Sequence, residues 1–116
     1  MEVYFIEEDD MIECEYQTTA TLHRIADLYG YKEQSLQCQE ELAECIVAIN
    51  KLRRAKRIGK KIKRWRRRLI SEIADVMIML QQMIHLLDCQ EELEAEMDRK
   101  IQRQVERMKE AGIWEE

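Results

Sequence analysis

From Thr19 onward, apolar side chains return every three to four positions, the spacing of one face of an α-helix. Leu22, Ile25 and Ala26 mark the inner side of a first helix over residues 19–29, capped by Thr18 or Thr19 and ended by Gly30. The pattern then predicts a second helix over 32–56, a turn at Gly59 and a third helix over 63–87. A fourth, over 90–109, carries the stripe Leu93, Met97, Ile101, Val105 and Met108. The Asp88-Cys89 junction is short, which makes the third and fourth helices antiparallel neighbours. Residues 1–17 read as an acidic tail or brief extended segment, 18–110 as one helical domain, and 111–116 as a C-terminal tail.

Between Ile73 and Leu87, 11 of 15 residues are apolar and they surround nearly the whole cylinder. Such a helix must be covered on most sides, and the few other helices of one chain are not enough. The expected architecture is therefore an all-α antiparallel bundle of about four helices, completed by a symmetric homodimer. Composition agrees. With no Pro, three Gly and only 6% aromatic residues, the chain lacks the turn punctuation of a sandwich or barrel. At 46% apolar it is too hydrophobic for a disordered chain. No uninterrupted apolar stretch reaches the length of a membrane span, and the acids after Met1 do not resemble a signal peptide. The four Cys form no CxxC pair and read as reduced, buried side chains. These features point to a soluble, cytoplasmic protein.

The net charge of −5 hides an uneven distribution: residues 51–68 hold 12 bases and no acid. That strip suits a nucleic-acid surface or pairing with an acidic part of another subunit. The carboxylates are more specific. At about 100° per residue, Glu41 falls at about 140° on the second helix, inside an apolar arc from about 120° to 280°. Ala48, Leu52, Cys45, Cys38, Ile49, Leu42 and Ile46 make that arc. Glu44 lies on its edge, near Lys51. On the third helix, Glu72 projects between Met79 and Met83, and Asp75 between Gln82 and Leu86. Two carboxylate pairs, each three residues apart, thus intrude on apolar sectors of successive helices. Buried carboxylates facing one another repel, and cations resolve the repulsion. With oxygen ligands only, the expected ion is Mg²⁺, or Mn²⁺ in its place, with open positions that phosphates fill. The residues alone therefore point to a helical Mg²⁺-dependent enzyme acting on a phosphate ester or anhydride.

Glu40-Glu41-Leu42-Ala43-Glu44 followed by Glu72-Ile73-Ala74-Asp75 resembles the EExxE…ExxD signature of MazG-like proteins, the all-α nucleoside triphosphate pyrophosphohydrolases. The resemblance covers residues 19–108 and implies assembly as a homodimer or tetramer. It implies hydrolysis of a (deoxy)nucleoside triphosphate to the monophosphate and pyrophosphate, with Glu41, Glu44, Glu72 and Asp75 as metal ligands. Glu40 matches the first acid of the motif. Glu41 or Glu44 would orient the attacking water, while Lys51, Lys100 and Arg107 clamp phosphate oxygens. Where many relatives have Asn in the last helix this chain has Gln104, whose amide donates similarly but reaches further. The spacer between Glu44 and Glu72 is long for the family and contains the basic strip.

A rival reading makes the chain a helical nucleic-acid-binding or interaction module built on residues 51–68, with Trp65 for stacking. His23 and His85 form no Glu-x-x-His pair, which speaks against a di-iron site. Met77, Met79 and Met83 read as core packing. A base pocket would draw on the first helix and Tyr29 or Tyr31.

Overall fold

The computed structural model describes residues 19–115. The chain is all-α, with no strand among the described residues. It has three helices: α1 (Thr19–Ile58), α2 (Ile62–Leu87) and α3 (Gln90–Glu110). The expected boundaries of the last two fall within one residue of those observed. The proposed acidic tail, Cys14 and Thr18 lie outside the described residues.

Gly30 interrupts α1 with φ 85° and ψ 168°, a backbone region essentially reserved for glycine. The interruption is a reversal. Gln34 Nε2 donates to Gln82 Oε1 at 2.7 Å, while Gln81 Nε2 donates to Thr19 Oγ1 at 3.5 Å. An unbroken helix would hold Thr19 and Gln34 about 22 Å apart, yet they reach adjacent residues of α2. The segment before Gly30 therefore folds back along α2, and all three helical segments of this unit pack together. A Cβ at Gly30 would meet no atom within 4 Å, so Gly30→Ala tests the backbone alone. We expect it to cost about 1–3 kcal/mol, read as a lower urea midpoint with an unchanged slope.

After Gly30, α1 runs antiparallel to α2. Besides Gln34 with Gln82, Lys51 meets Trp65, and in both pairs the residue numbers add to 116. Gly59 and Lys61, both at positive φ, turn the chain between the helices. The contact face is built of small and polar side chains: Ala26, Cys38, Ala48, Ala55 and Met79 are buried, together with Gln34, Glu72, Gln81 and Gln82. This differs from the sequence expectation. Of the apolar arc on α1, Leu42, Ile46 and Ile49 are exposed, and on α2 so are Ile73, Ile78, Leu80 and Leu87. The reason is geometric, since each neighbouring helix covers only part of a circumference. By length and composition α2 also passes for a membrane-crossing helix, with an 18-residue window of mean hydropathy 1.3. No uninterrupted run had suggested it, because Gln81 and Gln82 break the apolar stretch.

His23 and His85 stack with centroids 4.0 Å apart, and His85 Nε2 lies 2.9 Å from Asp27 Oδ1. Burial, then the charge of His85, lowers the His23 pKa below its ordinary 6.5, with Asp27 opposing. A depressed folded pKa favours the neutral ring. Its contribution to stability is present above about pH 6.5 and is lost as pH falls through the lower folded value. Urea midpoints between pH 7.5 and 5 should drop in the native chain, and drop less in His23→Gln.

The chain divides after Leu87 into two compact units. The second begins at Asp88, itself at φ 49°, and contains α3. Leu93, Met97, Val105 and Met108 are half-buried along one side of α3, whereas Ile101 is exposed. Acids in its first turn and Arg107 and Lys109 in its last complement the helix dipole. The helix closes on Ala111 and Gly112, whose N–H groups bond to Arg107 O and Lys109 O.

Candidate metal centre

The antiparallel register decides which carboxylates meet. The same sum sets Glu41 opposite Asp75 and Glu44 opposite Glu72. Ligand oxygens of Glu41, Glu72 and Asp75 lie within 4.8 Å of one another. Glu72 is 2% exposed. Three ionised carboxylates this close repel by about 3.5 kcal/mol or more per pair at an effective dielectric of about 20.

Two neighbours hold the cluster in shape. Gln37 Nε2 donates to Glu41 Oε1 at 2.8 Å, and Arg68 Nε donates to Glu72 Oε1 at 2.9 Å. Both partners stand four residues before the acid they hold, one helical turn away on the same face. That spacing was legible in the sequence and was missed. Each acid therefore has one oxygen tied and the other, Oε2, buried without a hydrogen-bond partner. Buried acceptors are rarely left unmet, because desolvation is then uncompensated. Two orphaned anionic oxygens beside a third carboxylate are an arrangement that a hard divalent cation fits, since it satisfies the lone pairs and offsets the repulsion together.

Glu44 stands at the rim, exposed, as its wheel position indicated. Its pKa is raised, first by the charge of Glu41, then by desolvation and by the charges of Glu72 and Glu40. Glu40 is exposed. Lys51 is not at the carboxylates: its Nζ lies over the Trp65 ring, 5.7 Å from the centroid. Lys100, Gln104 and Arg107 are exposed on α3, in the second compact unit.

Beside the cluster lies a groove of about 590 Å³. Glu44, Val47 and Ala48 line it from α1, and Arg64, Trp65, Arg67, Arg68 and Ser71 from α2. Sequence reasoning placed Arg64, Arg67 and Arg68 only in an undivided basic strip. Their spacing of three and four on one helical face was the available signal. The chain matches no protein-family model, no curated protein and no solved structure.

Proposed function

We propose that the protein is a Mg²⁺-dependent nucleoside triphosphate pyrophosphohydrolase of the MazG-like kind, active in the cytoplasm. The observation that carries this reading is the pair of buried, unpartnered oxygens, Glu41 Oε2 and Glu72 Oε2, in a three-carboxylate cluster. Glu41, Glu72 and Asp75 would hold the ion, with Glu44 joining from the rim. Bound Mg²⁺, or Mn²⁺, supplies charge neutralisation of the triphosphate and polarisation of the phosphorus under attack. The chain's own residues do the rest. Gln37 and Arg68 fix the carboxylate planes, so the cluster is preorganised before substrate arrives. Glu41 has Oε1 held by Gln37. Glu44, exposed at the rim, is the carboxylate that would orient water and accept its proton.

The same reading makes the active form a homodimer. Leu69, Ile73, Val76, Leu80, Met83 and Leu87 follow one another at spacings of four and three along α2. Ile73, Leu80 and Leu87 are exposed in the single chain. A repeat of this period is the seam of packed parallel or antiparallel helices. A second copy is the simplest partner that covers it and completes a bundle.

The test is a panel of ribo- and deoxyribonucleoside triphosphates with Mg²⁺, identifying the phosphate released. Pyrophosphate, absent with EDTA, is expected. Orthophosphate as the product, or no Mn²⁺ binding by electron paramagnetic resonance, would overturn the reading. Specific oligonucleotide binding at physiological salt without hydrolysis would favour the nucleic-acid module instead.

A further inference from the structure

We infer that the groove between α1 and α2 beside the carboxylates is a polyphosphate-binding site, with Arg64 and Arg67 as the side chains that hold the anion. The inference rests on the reading of the carboxylate cluster as a metal centre for phosphoanhydride chemistry, and extends it to residues not assigned by the motif. Along α2, Arg64, Arg67, Arg68 and Ser71 recur at i, i+3, i+4 and i+7, and Glu72 and Asp75 continue the same face. Along α1, Lys51, Ala48, Glu44 and Glu41 run past them in the opposite direction. The α2 wall therefore changes from cation to carboxylate toward the end where Glu44 stands on the α1 wall. Arg64 and Glu72, eight residues apart, are separated by about 12 Å along the helix. A short polyanion fits that gradient, with one end among guanidinium groups and the other at a cation held by the acids.

The three arginines are not equivalent. Arg68 is engaged with Glu72. Arg64 sits over the Trp65 ring, 5.4 Å from the centroid, a placement that steadies a guanidinium while leaving its N–H donors for an acceptor. Arg64 and Arg67 make no ion pair among the described residues. Planar forks recognise phosphate bidentately, which an ammonium cannot do. The groove also narrows the class of ligand. A nucleic-acid backbone would follow the whole basic hairpin, including Arg53, Arg54 and Arg57, which line a different depression with Asn50. A short polyphosphate would use only Arg64 and Arg67. The two predict different variants.

The experiment titrates the full chain with inorganic tripolyphosphate in EDTA at about 0.15 M salt, by calorimetry and by Trp65 fluorescence in a Trp114→Phe background. Arg64→Gln with Arg67→Gln is expected to weaken binding at least about tenfold. Arg64→Lys with Arg67→Lys keeps the charge, loses the forks and should fall between. Arg53→Gln with Arg57→Gln should stay within about twofold, since distant charges are screened. Equal weakening by the Arg53/Arg57 pair overturns the inference, as does tighter binding of a single-stranded oligonucleotide than of tripolyphosphate. Mn²⁺ binding, followed separately, distinguishes the two levels. Intact Mn²⁺ binding and hydrolysis without tripolyphosphate binding removes the groove and leaves the proposed reaction. Tripolyphosphate binding without Mn²⁺ binding keeps the groove as an anion site and removes the reaction.

Discussion

Replacing Glu72 by Gln is expected to cut metal-dependent hydrolysis by at least about 10²-fold while leaving the metal-free fold as stable as before, or more so. Two opposing effects decide the stability. Removing half of a buried ion pair usually destabilises, because the partner is left buried and uncompensated. In this pair the partner is not buried: the Arg68 side chain is 60% exposed while that of Glu72 is 3% exposed, so Arg68 returns to water. What remains is relief of repulsion from Glu41 and Asp75, worth several kcal/mol at most. The new amide can also donate a hydrogen bond to Glu41 Oε2, an acceptor with no partner in the native chain. Relief wins. Asp75→Asn should behave similarly. Hydrolysis assays, Mn²⁺ titration and urea melts in EDTA check the three parts, and unimpaired hydrolysis in either variant would sink the site assignment.

Leu80→Asp is expected to convert a dimer into a monomer. Leu80 lies at the middle of the α2 seam and is 37% exposed in the single chain. In a two-fold interface each substitution counts twice. Association buries only the exposed part of each leucine, so losing it removes about 1–2 kcal/mol for the pair, and two buried aspartates add a larger desolvation cost. Dimer affinity should fall by more than about 10²-fold. Because the seam is apolar, moderate salt should leave the native dimer intact. Sedimentation at low micromolar concentration reads both results. A native chain that is folded, active and monomeric there would end the idea.

How much of this was legible beforehand follows from what is local. The helix ends, the break at Gly30 and the turn at Gly59 depend on backbone preferences and on a period of 3.6, which neighbouring residues set by themselves. So do the positions of Glu41 inside the apolar arc and of Glu44 on its edge. A wheel states only which way a side chain leaves its own axis, and that was enough to single out the four acids.

The meeting of those acids is a different matter. Register between α1 and α2 is set by the Gly59–Lys61 turn and by Gln34 with Gln82, contacts that no periodicity encodes. One turn of slippage would have put Glu41 beside Met79, not Asp75, and dispersed the cluster. The reversal at Gly30 is likewise invisible in a pattern that continues on both sides of it. Buried glutamines in place of leucines, Arg64 and Arg67 beside the acids, and apolar residues left exposed on α2 all come from packing. Sequence alone determined the helices and their charged faces, because both are properties of a single axis. Only the tertiary structure decided which faces meet, because that depends on the turn geometry and the few interhelical bonds that hold one register against its neighbours.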